Sequence, residues 1–488
     1  MFVKSIDIKN FKGFFGENNI EFNTPDGITE GSGLNIFVGQ NNAGKSTVFE
    51  ALDFIKDSTK KDPESLINKS DLTAIIDDFS VEVTYTGNIE DSVNSHVQQN
   101  KIQSFLGSIY VNNGNNYLKV KRSWQRDTPD NIKKIYFFNN EEQNYYNPSG
   151  IDAPFKKFYD NNFIWADTNP NDESKFGAST ICGSLLKEIA SSHTDTPEYQ
   201  AFQNSYHGLF NNPESELRIK ISEIERSVQD VFSEQFGVAN ISFSFDELQI
   251  ENFFKTASII IDDGVSVPMS EKGHGMQRAV ALSLLQVYAD ITSTAANAIV
   301  SKPFYLFIDE PEICLHPTGQ KKLLDALMVI SKTKQVFITT HSPFMLSTPK
   351  LRNTGLFIFK KVDNRNTISQ ATTEPMFPWS PSWGEISYRA YDLPTVDLHN
   401  ELYGYLQERN SLNRIQDMDQ WLNAQGMLSN KLWTQERNGN PHQPTPVTLQ
   451  SFIRNHIHHP ENITMQANKY TEAELKLSID QMVNLINI

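Results

Sequence analysis

The chain has 488 residues, enough for more than one domain, and at 38% hydrophobic content it can bury a core, while no apolar run approaches the length of a membrane span. Its two cysteines, Cys182 and Cys314, exclude a disulfide framework and a Cys-x-x-Cys metal clasp; the net charge of −16 excludes a surface that is basic all over. The opening Met1-Phe-Val-Lys-Ser-Ile-Asp7 reads as an alternating strand with charges rather than a secretory leader, so the expected compartment is the cytoplasm, without membrane contact.

Leu34 to Val38 is a continuous apolar run of strand type. It leads into Gly39-Gln-Asn41-Asn42-Ala-Gly44-Lys45-Ser46-Thr47 and then into Val48-Phe-Glu-Ala-Leu52, which reads as the start of a helix. This is the Walker A pattern in strand–loop–helix context, and it predicts a loop that binds ATP or another nucleoside triphosphate. The glycines let backbone N–H groups turn inward onto phosphates, Lys45 reaches the β and γ oxygens, and Ser46 offers its hydroxyl to Mg²⁺.

Val81 to Tyr85, Tyr117 to Trp124 and Lys134 to Phe138 read as short antiparallel strands. Lys119, Lys121, Arg122, Arg126, Lys133 and Lys134 are the densest cationic cluster; on alternating strand positions they read as a solvated face rather than a nucleic-acid site. Residues from about 184 to 236 read as helical, because Leu185, Leu186 and Ile189, then Leu217, Ile221, Ile224, Val228 and Phe232, recur at helical spacing. That is too short for a long coiled-coil arm. Phe243, Ile250, Phe253 and Ile259 to Ile261 then suggest strands.

Phe304 to Ile308 predicts a strand covered on both faces that delivers Asp309 and Glu310 at its C-terminal end. There Asp309 would hold Mg²⁺ and Glu310 would polarise the attacking water. Gln335 to Thr339 predicts another buried strand, ending at Thr340-His341-Ser342-Pro343, where an imidazole can donate to a γ-phosphate. The expected catalytic set is therefore Lys45, Glu310 and His341.

Residues 350–375 read as one or two edge strands, including Gly355 to Phe359, and the aromatic, proline-rich Pro375 to Trp383 marks a boundary. Beyond it the tail reads as all-helical, over about 394–410, 412–424, 447–457 and 471–487. Asp417 and Asp419 fall within one of these helices as a solvated face. Near the end stands Phe452-Ile-Arg454-Asn455-His456-Ile-His458-His459-Pro460, the sharpest feature of the tail, with an arginine, an asparagine and three histidines ahead of a further amphipathic segment.

Taken jointly, Ile6-Asp-Ile8-Lys-Asn10-Phe11-Lys12-Gly13-Phe14, the Walker A loop, Ser270-Glu-Lys-Gly273-His-Gly275-Met-Gln277-Arg278, Asp309-Glu-Pro-Glu312-Ile-Cys-Leu315-His316-Pro317 and Thr340 to Pro343 resemble the ATPase head of the SMC, RecF and OLD-family branch of ABC-type ATPases. The resemblance implies an α/β P-loop ABC-type head over residues 1–370; the residues themselves read as a short helical insertion in it at about 184–236, then a linker at 371–393 and an all-helical C-terminal domain over 394–488. It implies a homodimer, or a higher even-numbered oligomer, in which two heads sandwich two ATP molecules with Mg²⁺. Each nucleotide would be closed by Gly273, Gly275 and Gln277 of the opposite subunit, with Leu315 and His316 at the seam. The segment departs from the transporter pattern Leu-Ser-Gly-Gly-Gln. The family's Q-loop glutamine is not placed either, Gln98, Gln103, Gln125 and Gln143 all being eligible.

OLD-family nucleases continue after the head with a Toprim nuclease domain, which the sequence here does not match. The tail instead is similar to the HEPN ribonuclease motif through Arg454, Asn455 and His459. Two functions follow from the resemblance. One is an ATPase and sensor subunit of a bacterial anti-phage complex, similar to those of Septu, retron-associated and PARIS systems, with a separately encoded nuclease as partner. The other is a self-contained toxin whose ATPase gates a HEPN-like ribonuclease; a RecF-like DNA-repair ATPase is a third reading. Nucleic-acid contact, direct or through the partner, stays open.

Overall fold

In a computed structural model, residues 1–59, 62–69, 76–164, 196–236, 240–245, 258–277, 279–281, 283–284, 287, 303–363, 365–371, 375–437 and 439–486 are described. They fall into two units, residues 1–166 with 293–488, and residues 167–292. Among the described residues the first unit holds two large sheets and two short two-stranded ladders. β1 (Phe2–Lys9), β2 (Glu17–Glu21), β4 (Asp78–Thr86), β5 (Ile109–Asn112), β6 (Asn115–Gln125), β7 (Tyr136–Asn139) and β8 (Asn144–Tyr146) form an antiparallel sheet in the order β2-β1-β4-β6-β7-β8, with β5 beside β6. β3 (Leu34–Gly39), β9 (Asp160–Ile164), β12 (Phe304–Ile308), β13 (Gln335–Thr339), β14 (Gly355–Val362) and β15 (Arg365–Gln370) form the other, in the order β15-β14-β3-β13-β12-β9. All its pairs are parallel except β14–β15.

The apolar runs seen in the sequence account for the second sheet: every residue of β3 and of β13 is buried, as parallel strands covered on both faces must be. In-register pairing lines up Phe163 with Phe307 and Phe307 with Phe337, whose rings stack at 4.5 and 4.8 Å, and Phe22 meets Phe337 edge-on at 5.1 Å. Phe337 is fully buried. Phe337→Ala is expected to cost about 3–5 kcal/mol, because the cavity lies at the centre of a stripe that cannot collapse into it. Urea unfolding measures it; a loss under about 1 kcal/mol would show the stripe to be loosely packed.

Helix α1 (Lys45–Lys56) lies between the sheets. Its Phe49 packs on Phe37 and Phe307 of the parallel sheet, and its Phe54 on Phe79 of the antiparallel one and on Phe11 just beyond β1. The buried Gln335 carboxamide ties the layers, accepting from Val3 N at 2.7 Å and donating to Val3 O at 2.7 Å. The loop ahead of α1 is therefore seated on a helix fixed from both sides.

Several expectations change. Gly355 to Phe359 is no edge strand: β14 pairs with β3, its first five residues are buried, and β15 forms the edge. Arg122 leaves the solvated cluster. It shares strand parity with buried Leu118, Val120 and Trp124, so it points into the core, 3% exposed, where its guanidinium donates to Ile55 O at the end of α1 (2.8 Å) and to Lys133 O (2.8 Å). Asp419 is not merely solvated, since it accepts from Thr448 N at 2.8 Å and Thr448 Oγ1 at 2.7 Å, fixing the cap of the helix Leu449–His458.

The C-terminal helices are Val396–Arg409, Ile415–Ala424, Leu449–His458 and Glu472–Ile486, around a core that includes Leu402, Met418, Phe452, Ile453, Ile479 and Met482. The region is not helical throughout. Between the second and third of these helices, Lys431–Trp433 pairs with Thr445–Val447 and Glu436–Arg437 with Asn440–Pro441, because the intervening Gly, Asn and Pro residues favour turns. A further helix, Trp383–Tyr391, occupies the stretch read as a linker.

The second unit contains the helices Pro197–Phe210 and Glu216–Phe236 and a hairpin of β10 (Ile260–Asp262) and β11 (Ser266–Pro268). Of the stretch read as helical, 197–210 and 216–236 form helices; Leu185, Leu186, Ile189 and Cys182 lie outside the described residues, as do Ile250 and Phe253. Phe243 lies in no strand. Among the described residues no helix is long and apolar enough to cross a membrane.

Candidate nucleotide-binding site

The loop from β3 to α1 needs its glycines. Gly39 has φ 148°, and a Cβ there would lie 2.1 Å from Phe359 O of β14; Gly44 has φ 96°, and a Cβ there would lie 2.4 Å from Asn366 Nδ2 of β15. Asn42 also takes positive φ, at 62°, and with Asn41 stands on the exposed rim. Gly44 caps α1 without any side-chain bond, which leaves the first-turn N–H groups of Lys45, Ser46 and Thr47 available to an anion. Lys45 is 7% exposed, and its ammonium donates to Gly39 O at 2.9 Å and Gln40 O at 3.1 Å. Burial lowers its pKa, against the pull of Glu310, Asp309 and Glu312.

Asp309 lies where three strand ends meet. Its Oδ1 accepts from Ser46 Oγ at 3.0 Å and from Thr339 Oγ1 at 2.6 Å, and Thr339 Oγ1 in turn accepts from Glu310 N at 2.9 Å. Glu310 follows in the left-handed region, φ 47°, which turns its carboxylate out of the strand direction. His341 Nε2 is buried without a hydrogen-bond partner, 3.6 Å from Glu310 Oε1. Burial first, and then the Lys45 ammonium, push the imidazole pKa down to about 4, so it is neutral at physiological pH. The structure thus brings Lys45, Ser46, Asp309, Glu310 and His341 into one cluster.

Sequence reasoning missed four further members. Glu312 Oε1 accepts from His341 N at 2.6 Å; its Oε2 is buried without a partner, and burial raises its pKa. Gln320 accepts from Ser342 Oγ and donates to Leu315 O at 2.8 Å, which ties the histidine loop to the segment after Glu312. Asn366 lies between Gly13 and Gly44, and Tyr391 packs beside His341. Glu312 stands within the quoted Asp309-Glu-Pro-Glu motif, so the sequence carried a signal for it; Asn366 and Tyr391 carry none.

In the second unit, Gly273 is exposed and its carbonyl accepts from Met276 N at 2.9 Å and Gln277 N at 3.2 Å, which opens a helical turn containing Gly275. Gln277 is 1% exposed and donates its side-chain amide to Lys272 O at 2.7 Å and Ser270 O at 3.3 Å, so that amide braces its own turn. Arg278 lies outside the described residues.

Arg454, Asn455 and His459 lie at the end of the helix Leu449–His458. Arg454 is half-buried and donates to Asn455 Oδ1 at 3.3 Å, Asn455 is 6% exposed, and exposed His459 meets Glu461 Oε1 through Nδ1 at 3.1 Å. A carboxylate, that of Glu461, thus stands beside His459. His456 instead enters an aromatic cluster with Trp433, Phe452 and Tyr470. Among the described residues no group of three His, Cys, Asp or Glu side chains could hold a metal ion.

The family model described as "AAA ATPase domain" matches residues 1–346. The Old nuclease of Escherichia phage P2 is 26% identical over 347 residues, covering 69% of this chain and 56% of the relative. Endonuclease GajA of Bacillus cereus (strain HuB5-5) is 22% identical over 485 residues, covering 86% of this chain and 65% of the relative. The chain thus spans less than two thirds of the length of either. Among solved structures, an SMC head bound to the C-winged helix domain of ScpA matches with 12% identity and TM-score 0.44, over 76% of this chain and 98% of that one. An SMC head domain from Thermotoga maritima matches with 15% identity and TM-score 0.36, over 76% and 99%. With a phosphate loop, strand-end carboxylates and a family match over residues 1–346, the chain belongs to the AAA ATPase domain family.

Proposed function

We propose that the chain is the regulatory ATPase of a bacterial anti-phage complex, working as a closed pair of heads and controlling a separately encoded nuclease. The observation that carries the ATPase chemistry is the Ser46–Asp309 hydrogen bond, 3.0 Å between groups 263 positions apart. Gly39 to Thr47 wrap the phosphates, and Lys45 exchanges its two loop carbonyls for β and γ oxygens. The Ser46 hydroxyl and the Asp309 carboxylate are hard oxygen donors and fit Mg²⁺, which would neutralise developing charge on the γ-phosphate. Glu310 accepts the proton of the attacking water, and neutral His341 donates to the γ-phosphate through Nε2. Gly273 and Gly275 offer backbone N–H groups to the nucleotide of the opposite head, while Gln277 shapes that turn, its own amide being already engaged.

Control of a nuclease is supported by the names of the two relatives, both nucleases, and by a C-terminal helical region with its own core. A second reading, a ribonuclease within the chain, draws on Arg454, Asn455 and His459 sharing one helix end. The burial of Asn455 and the engagement of His459 with Glu461 favour docking over catalysis. The substitution of both Arg454 and His459 by alanine is expected to leave ATP turnover within about twofold and to remove no RNA cleavage. Cleavage of RNA by the purified wild-type chain, lost in that variant, would install the ribonuclease instead.

A further inference from the structure

The helix Trp383–Tyr391 begins 37 positions beyond the segment matched by the family (383 minus 346), yet its last residue reaches the nucleotide site. The Tyr391 hydroxyl donates to Thr340 O at 3.4 Å, and Gln40 Nε2 donates to the Tyr391 backbone O at 3.5 Å. Through these two contacts the residue joins the start of the phosphate loop, just after β3, to the end of β13, where His341 starts. Its ring lies 5.8 Å from the His341 ring at an interplanar angle of 34°, on a histidine whose Nε2 points to Glu310 at 3.6 Å.

Tyr391 is itself held from the C-terminal side. Gly384 packs against Leu398, where an added Cβ would stand 2.8 Å from Leu398 N, and Tyr388 donates to Asp480 Oδ1 of the helix Glu472–Ile486 at 2.7 Å. Asp392, which caps the helix Trp383–Tyr391 in the left-handed region, pairs with Lys476 of the helix Glu472–Ile486. The side chain is thus fixed by elements remote from the phosphate loop.

We propose that Tyr391 is a positioning residue of the ATPase site, holding the His341 imidazole and the first residues of the phosphate loop in one arrangement from outside the ATPase segment itself. The proposal rests on the reading of Lys45, Glu310 and His341 as ATPase machinery. Tyr391 acts through His341 and the start of the phosphate loop. Losing the ring frees the imidazole to rotate from its line to the γ-phosphate, which slows the chemical step more than ground-state binding.

The test is steady-state ATP hydrolysis by the full chain. Tyr391→Ala is expected to lower kcat about tenfold or more with KM within about twofold, and Tyr391→Phe, which keeps the ring beside His341, to recover kcat to within about threefold of wild type. Should Tyr391→Ala not fold, Tyr391→Leu, which keeps apolar bulk without the ring, supplies the same comparison. A kcat of the Ala or Leu variant within twofold of wild type, or a raised KM at unchanged kcat, overturns the proposal while leaving the ATPase reading intact. A wild-type chain that hydrolyses no ATP overturns the ATPase reading and the proposal with it.

Discussion

Lys45→Ala is expected to abolish ATP binding. The ammonium is the one cation placed by the sequence within the phosphate loop, and its distances of 2.9 and 3.1 Å to Gly39 O and Gln40 O show that it folds over that loop rather than away from it. Charge-assisted hydrogen bonds to phosphate contribute about 1.5–3 kcal/mol each, so losing two weakens binding by roughly two to four orders of magnitude. Folding should be little affected, since the variant removes a buried charge whose pKa burial already lowers. Titration calorimetry with ATP and Mg²⁺ reads the affinity directly; a variant that binds ATP as tightly as wild type would remove Lys45 from the site.

Glu310→Gln separates binding from chemistry. The amide keeps the shape of the side chain and leaves the backbone bond from Glu310 N to Thr339 Oγ1 in place, but it cannot take a proton from water. General-base removal costs about 10²–10⁴ in rate, so turnover should fall by at least about 100-fold while ATP affinity stays within about threefold. A closed, ATP-loaded dimer should accumulate and be visible by light scattering. Wild-type turnover in this variant would pass the role to the neighbouring carboxylate, Glu312, whose Oε2 is buried without a hydrogen-bond partner.

The ends of β3, β12 and β13 were legible in the sequence because each is announced locally: a run of apolar residues demands a strand buried on both faces, and polar residues that interrupt it must stand at the rim. The same local logic, taken further, finds Arg122, since strand parity puts it with Leu118, Val120 and Trp124. What was not legible is set by pairing across long separations. Nothing in Gly355 to Phe359 says that it lies against β3 rather than at an edge, and nothing around Asn366 or Tyr391 announces that they touch the phosphate loop. The short ladders around residues 431–447 were hidden for a different reason, being too short to show a period.

The placement of β14 has a consequence for biosynthesis. β3 is complete once residue 39 is made, but its two neighbours, β13 and β14, begin at Gln335 and Gly355, so its pairings close loops of about 300 residues. At about 5–20 residues per second a ribosome needs roughly 15–65 s to deliver them. Throughout that interval the apolar run Leu34 to Val38 has no parallel partner from its own sheet, and the phosphate loop has no scaffold. The nascent chain therefore cannot acquire its nucleotide early, and ATP becomes available to stabilise the fold only after synthesis has passed Val362, the end of β14.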